Sequence, residues 1–366
     1  MVYIESRCYG SLSGEVTRYR NQITEWIDRN GSRKLQDRRL EMSNVQAAVK
    51  KYLFGPVASR RLGISLGVDL VPPKTCSLNC IYCESGRTTQ FTEQRSEFVP
   101  TEDVIKELDG FLSSRPQLEY ITFSGAGEPT LHSGLGKIVR FLKANYPQYK
   151  LCLLTNATLF KDPALRHEIK EVDLICPSLD ASNQAEFESI NRPAEGLEHS
   201  ALVSGLIEMS RETEAEYNLE LFIVPGINDS DESLGRFVAI VREIMPDLVQ
   251  LNTLDRPGCV DWIKPAPEDT VMRFAAALKP IVPVEAIGPY KYRSEAPSNQ
   301  LPEEEIDVRV IDLVSRRPST LADMVAALFV NRSLLRKHIE LLLSAGVIAV
   351  EKRGRGTFYR AGTGGA

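Results

Sequence analysis

From Tyr52 onward, apolar and polar positions recur in two rhythms that take turns along the chain, one of period two and one near 3.6. Ile64-Ser-Leu-Gly-Val-Asp-Leu70 alternates as a strand does, and Pro72 and Pro73 stop it. Thr101-Glu-Asp-Val-Ile-Lys-Glu-Leu108 opens with a threonine suited to cap a helix and an acidic first turn, then spaces its apolar residues helically. The same patterns predict strands over 120–123, 151–155, 173–180, 217–224, 248–254 and 284–287, with helices over 138–145, 202–209, 234–244 and 268–278. Strands separated by helices imply a parallel sheet with right-handed crossovers, an α/β architecture. Polar residues and glycines gather at the predicted C-terminal ends of the strands: Gly125 to Glu128, Thr155 and Asn156, Ser178 and Asp180, Gly226 and Asn228, Asn252 to Asp255. In a (β/α) barrel, whole or partial, those ends make one rim, where active sites form.

Residues 1–48 read differently. They are polar and charge-rich, with weak helical periodicity from Val16 to Ile27, and hold too few apolar side chains to bury a core alone. Trp26 and Ile27 are expected to dock on the main body, unless the segment is mobile. After the barrel segment, 49–295, the Pro- and Ser-bearing stretch 290–299 reads as a linker. Helical patterns follow over 303–315, 319–329 and 331–343, with Ser319 or Thr320 and Asn331 as caps, then a hairpin over 347–359 with a basic glycine tip. Three helices and a hairpin resemble a winged helix-turn-helix domain, here over 301–362. In such domains the third helix and the wing tip often contact nucleic-acid phosphates, which points to Arg332, Arg336, Lys337, Lys352, Arg353 and Arg355. Binding of a protein, a peptide or the chain's own barrel fits the same fold equally well.

The 366 residues suffice for one large domain and a small one. A formal net charge of −5, with both signs mixed, excludes a global basic footprint for nucleic acid and leaves only local patches. No apolar run is long enough to span a bilayer, and Met1 to Arg20 is too polar for a signal peptide. A cytoplasmic protein that engages no membrane is expected. Seven cysteines, three of them clustered, suit a reducing compartment rather than a disulfide framework.

Those three define the candidate chemistry. Lys74-Thr-Cys-Ser-Leu-Asn-Cys-Ile-Tyr-Cys-Glu84 places Cys76, Cys80 and Cys83 within eight residues, a loop tight enough to bring three sulfurs to one metal centre. A single cysteine is often just a small buried hydrophobe; three flanked by polar residues are not. A closed zinc site takes four protein ligands. No fourth cysteine or histidine lies near: Cys8, Cys152, Cys176 and Cys259 are scattered, and the next histidine downstream is His132. This favours a [4Fe-4S] cluster with one iron lacking a protein ligand over zinc.

Cys-x3-Cys-x2-Cys with Tyr82 before the last cysteine resembles the signature of the radical S-adenosylmethionine (radical SAM) superfamily, and the order of later motifs follows it through the barrel segment. The resemblance implies a six-unit open (β/α)6 barrel and a [4Fe-4S] cluster on Cys76, Cys80 and Cys83, with S-adenosylmethionine chelating the open iron through its amino and carboxylate groups. It implies reductive cleavage to methionine and a 5′-deoxyadenosyl radical that abstracts hydrogen from a substrate, with a flavodoxin- or ferredoxin-type electron donor. Cofactor contacts are implied as well. They are Tyr82; Gly125, Ala126, Gly127 and Glu128, at the place of a Gly-Gly-Glu segment that meets the methionine amino group; Asn156, Ser178 and Asp180, toward ribose or carboxylate; and Val224 and Asn228, toward adenine. Ala126 departs from the pattern's second glycine.

Leu179-Asp-Ala181, Asn191-Arg-Pro193, Gly226-Ile-Asn-Asp229 and Leu251-Asn-Thr-Leu-Asp-Arg-Pro-Gly258 are similar to segments of radical SAM proteins grouped with the tRNA wyosine-synthesis enzymes. Those enzymes carry a second cluster on upstream cysteines, whereas this chain has only Cys8 there, so wyosine synthesis itself is not expected. Cys259, Asp255 and Arg256 follow the sixth strand and are candidates for handling a substrate of unidentified class, RNA or protein. Cys152 and Cys176 read as core. Arg60 and Arg61 either sit in a solvated turn, guard the cluster, or hold a substrate anion. An alternative of another class is a redox-sensing regulator that binds DNA through the winged helix.

Overall fold

The computed structural model describes residues 51–59, 61–255, 258–287, 290, 292–293, 303–316, 318–328, 330–353 and 356–362. The chain divides into two units, Met1–Tyr52 and Leu53–Ala366. The expectations for 1–48, including Trp26 and Ile27, lie outside the described residues, as do Arg60, Arg256, Arg355 and the side chain of Arg353.

The second unit is built on a nine-stranded sheet whose spatial order follows chain order. Its strands are β1 (Leu53–Ser59), β2 (Gly63–Val68), β5 (Tyr120–Phe123), β6 (Lys150–Thr155), β7 (Leu174–Pro177), β8 (Glu216–Phe222), β9 (Leu248–Asn252), β10 (Val284–Ala286) and β11 (Tyr292–Arg293). The two-residue β3 (Thr75–Cys76) and β4 (Gln90–Phe91) pair with each other outside it. β2 and β5 through β10 run parallel, and β1 and β11 lie antiparallel at the two edges. Among the described residues β1 and β11 do not pair, so the sheet is an open, partial (β/α) barrel.

Each helix buries one stripe against this sheet. Thr101–Leu112 buries Val104, Leu108 and Leu112, and Asp231–Ile244, capped by Ser230, buries Leu234, Phe237, Val241 and Ile244. β7 is apolar on both faces and buried throughout, as a strand covered on both sides must be. Pro100, not Thr101, holds the N-cap position of the first helix, and Glu97 accepts from Thr101 N at 2.9 Å in place of a capping hydroxyl.

Two features depart from the pattern-based expectation. Residues 53–59, where the spacing predicts no element, form a strand antiparallel to β2. The parallel strands among the described residues number seven, as the spacing predicts with 284–287 included and one more than the six-unit barrel of the resemblance, because β10 joins β9 through Val284↔Val249. Tyr292–Arg293, inside the expected linker, adds an edge strand that covers the exposed side of β10. Arg61 sits in the β1–β2 turn, at the end of the barrel opposite the rim. There it pairs with Glu220 beside the buried Cys152 and Cys176 rather than standing in a solvated turn.

Helices Glu303–Arg316, Leu321–Leu328 and Arg332–Ser344 and the hairpin of β12 (Ile348–Arg353) and β13 (Gly356–Ala361) surround one apolar core that includes Ile306, Val310, Met324, Leu335, Ile339 and Ile348. Asn331 accepts from Ser333 N and Leu334 N at the start of the last helix. Ser319 bridges Tyr359, and Met245 of the barrel packs against the same core.

Candidate metal centre and its rim

The cysteine loop leaves β2 at the C-terminal rim of the sheet. Lys74 takes a left-handed turn (φ 64°) with its backbone held on every side: its N donates to Ala126 O at 2.7 Å, and its O accepts from Thr89 N and Gln90 N at 3.0 and 3.1 Å. The β3–β4 pair closes the loop at its base. The Asn191-Arg-Pro193 segment clamps the far side, through Asn79 N to Asn191 O (2.8 Å), Ile81 N to Ile190 O (2.9 Å) and Ala194 N to Ser77 O (2.9 Å).

Held this way, Cys76, Cys80 and Cys83 are half-buried. Cys76 Sγ accepts from Asn156 Nδ2 and Leu78 N, both at 3.4 Å. Cys80 Sγ accepts from Asn191 Nδ2 at 3.3 Å, and Cys83 Sγ from Lys74 Nζ at 3.1 Å. Burial pushes the Cys76 thiol up to about 11 and the Cys80 thiol well above its ordinary value, so a metal must displace their protons to bind.

Gly125 and Gly127 serve loop-on-loop contact. A Cβ on Gly125 (φ 142°) would lie 1.8 Å from Asp69 Oδ1, and one on Gly127 would lie 2.4 Å from Thr75 O. Asp69 Oδ1 accepts from Ala126 N at 3.2 Å, and burial lifts its carboxyl to about 6. Glu128 turns inward and is 3% exposed. It accepts from Thr130 N (3.0 Å), Thr130 Oγ1 (2.6 Å), Thr155 Oγ1 (2.6 Å) and Asn156 N (2.8 Å). Three of these donors meet Oε1 and one meets Oε2. Glu128 therefore ties the ends of β5 and β6 together mainly through Oε1 and keeps acceptor capacity on Oε2. Burial raises its pKa against the pull of those donors.

Across the rim, Asp180 is 3% exposed and its Oδ2 accepts from Tyr82 OH at 2.5 Å and Asn191 Nδ2 at 2.7 Å. Burial raises its carboxyl to about 7. The Tyr82 ring stacks on Phe222, with centroids 3.8 Å apart and planes 11° apart. Val224 lies in the apolar cluster on which Tyr82 packs, with Ile81, Ile190, Phe222 and Ile263. Asn228, 1% exposed, donates to Asp180 O and Phe222 O and accepts from Val224 N. Every polar atom of its side chain is thus used in joining the ends of β7 and β8. Ser178 extends β7 by a bridge to Glu220 and stays half-buried at the rim.

The loop after β9 folds back over the cysteines. Gly258 lies so close that a Cβ would sit 2.9 Å from Ile81 O and from Tyr82 Cα, and Cys259 Sγ donates to Cys80 O at 3.1 Å. Beside it a groove of about 330 Å³ is lined by Leu254, Asp255, Gly258, Val260, Asp261, Ile263 and Pro265. Cys259 and Asp255 therefore do reach the rim. Lys74, Asn191, Ser77 and Asp69 carry site geometry that sequence reasoning passed over. The signal was available only for Lys74, two residues before the first cysteine, and for Asn191 in its Asn-Arg-Pro motif.

Two of the expected nucleic-acid contacts face the barrel instead. Arg332 is 3% exposed, and Arg336 bonds Asp247 Oδ2 at 3.3 Å and Ala215 O at 2.7 Å. Asp247 and Ala215 precede β9 and β8, at the pole away from the cysteines. These arginines correct the earlier assignment: they neutralise a buried aspartate rather than present charge to phosphates. Lys337 and Lys352 remain exposed.

The residues fit the groups the resemblance implies. Three cysteines on one loop each have a donor for a sulfur that carries negative charge when ligating iron. Next to Cys80, the buried Asp180 Oδ1 and Asn191 Oδ1 have no partner, two acceptors placed for a ligand rich in amino and hydroxyl donors. No helix among the described residues is long and apolar enough to cross a membrane.

Comparison with known proteins agrees with this geometry. The Radical SAM superfamily pattern matches residues 70–238. The chain is 31% identical over 312 residues to the UPF0026 protein of Helicobacter pylori, covering 84% of this chain and 96% of that one. It is 32% identical over 302 residues to a protein named GTPase Obg from Brachyspira hyodysenteriae, covering 82% of this chain but only 44% of that protein. A radical SAM methyltransferase from Sphaerobacter thermophilus superposes with a TM-score of 0.49 at 19% identity, over 61% of this chain and 66% of that one. With its cysteine loop seated at the rim of a mostly parallel partial barrel, the chain belongs to the radical SAM superfamily, whose enzymes use a [4Fe-4S] cluster and S-adenosylmethionine, and within it to the UPF0026 proteins.

Proposed function

We propose that Cys76, Cys80 and Cys83 hold a [4Fe-4S] cluster and that the rim beside them binds S-adenosylmethionine. The bound pair would supply, on one-electron reduction, a 5′-deoxyadenosyl radical for hydrogen abstraction from a substrate. The observation that carries this reading is the pairing of three donor-matched sulfurs with two orphaned buried acceptors, Asp180 Oδ1 and Asn191 Oδ1, at the same rim. This chain's residues have defined work in it. Glu128 and Asn228 lock the strand ends, Tyr82 and Phe222 form an apolar wall, and Gly258 and Cys259 cover the loop against water. Asp255, in the groove next to Cys259, is placed to meet a polar group of the substrate.

The C-terminal helices and hairpin we read as a winged helix-turn-helix, braced on the barrel by Arg332 and Arg336. Its exposed cations, Lys337 and Lys352, are left for an acidic partner, with the basic residues Arg353 and Arg355 next to Lys352 in the sequence. A flavodoxin- or ferredoxin-type protein is the proposed electron donor. Anaerobic reconstitution with iron and sulfide, then dithionite and S-adenosylmethionine, is expected to yield 5′-deoxyadenosine. An intact, reducible cluster that yields none overturns the proposal. Cys80→Ala is expected to lose the visible band near roughly 400 nm that cysteine-ligated cubes show, and a retained band would mean the ligands are others.

A further inference from the structure

Each of the three cysteines receives a hydrogen bond from a different side chain, and the three donors come from three separate parts of the fold. Lys74 Nζ reaches Cys83 Sγ at 3.1 Å, Asn191 Nδ2 reaches Cys80 Sγ at 3.3 Å, and Asn156 Nδ2 reaches Cys76 Sγ at 3.4 Å. The two asparagine side chains are held by bonds other than the one to the sulfur each serves. Three bonds fix the Lys74 backbone, from which the side chain reaches the sulfur. Asn191 is 2% exposed and splits its two amide hydrogens between Cys80 and Asp180 Oδ2 at 2.7 Å. Asn156 donates its backbone N to Glu128, accepts from Thr158 through Oδ1, and gives its second amide hydrogen to Ser77 Oγ at 3.0 Å. Donors fixed independently of the sulfur keep their aim when its charge changes, which is what preorganisation requires.

We propose that Lys74, Asn156 and Asn191 are positioning residues that set the reduction potential of the cluster, with Lys74, the one cation among them, contributing most. This rests on the cluster proposed above. Adding one electron places further negative charge on the ligating sulfurs. A donor, and more so a cationic donor, stabilises the reduced form more than the oxidised one and raises the potential. The sequential arrangement makes the effect separable, because each donor serves one sulfur.

The test is a redox titration of the reconstituted wild-type chain and its variants, following the paramagnetic reduced cluster by electron paramagnetic resonance at fixed pH. Lys74→Met is expected to make reduction about tenfold less favourable, which for one electron is about 59 mV lower. Asn191→Leu is expected to shift it in the same direction by less, and Lys74→Arg, which keeps a cationic donor, to stay near wild type. Full iron loading with an unchanged potential in Lys74→Met overturns the proposal. Should Lys74→Met fail to load iron, Lys74→Arg decides: loading with a near-wild-type potential supports a donor role, and failure to load assigns Lys74 to loop shape alone and overturns it. A wild-type chain that loads no cluster would instead remove the function proposed above, before any variant is compared.

Discussion

Replacing Asp247 by Asn tests how the C-terminal helices are held on the barrel. Asp247 is 4% exposed, and its Oδ2 serves both Tyr217 N at 2.9 Å and Arg336 Nη1 at 3.3 Å. Arg332, 3% exposed, adds a second guanidinium to the same charge. Asparagine keeps an oxygen for Tyr217 N, so the strand end survives while the negative charge is lost. Two arginines, one fully buried, are then left without an anion, and breaking such a buried pair costs about 3–5 kcal/mol. Part of that is recovered because Arg336 is 21% exposed and can turn to water, which places the expectation at about 3 kcal/mol. At 1.4 kcal/mol per tenfold, amide hydrogen exchange along Arg332–Ser344 should accelerate by roughly a hundredfold if that helix opens from the barrel as a unit. The double variant Asp247→Asn/Arg332→Met should recover most of the loss, since an apolar replacement of a buried ion pair is often neutral. Exchange on this helix that changes less than threefold in Asp247→Asn, or a double variant no better than the single, would refute the buried-charge account.

Other expectations concern the cysteine loop. Gly127→Ala puts a methyl 2.4 Å from Thr75 O, so the loop must shift; about 1–3 kcal/mol of thermal stability and much of the iron content after reconstitution should be lost, and normal loading would count against the close contact. Asp69→Asn should flatten the pH dependence of stability in acid. The folded-state value of about 6 lies above the unfolded value near 3.8, so the native chain binds the extra proton. Stability attached to this group is therefore complete below about pH 4 and falls by about 2–3 kcal/mol as pH rises through 6. Urea unfolding at pH 4.5 and 6.5 reads the difference, and equal slopes in both proteins would show that Asp69 is not the buried acid.

Much of the barrel is legible from spacing because burial on a parallel sheet demands local periodicity. The strand at 120–123 and the helix at 268–278 stand at their expected bounds, and the others differ by a few residues at their ends. The two edge strands were not legible. A strand such as Tyr292–Arg293 exists only because β10 offers an unpaired edge, which no local pattern announces.

Sequence by itself determined the α/β class, the rim of polar strand ends, and the three-cysteine loop, since these follow from periodicity and from ligands adjacent in the chain. Tertiary structure decided which rim residues remain free to meet a ligand. Glu128 and Asn228 look like ligand contacts in the sequence, yet folding gives every polar atom of both side chains a protein partner. Donors to the sulfurs come from 80 and 111 residues away, and the anion that captures Arg336 lies 89 residues before it. Hydrogen-bond capacity and desolvation are settled by whatever the fold brings within about 3 Å of an atom. For groups so far apart in the chain, only the assembled structure sets that distance.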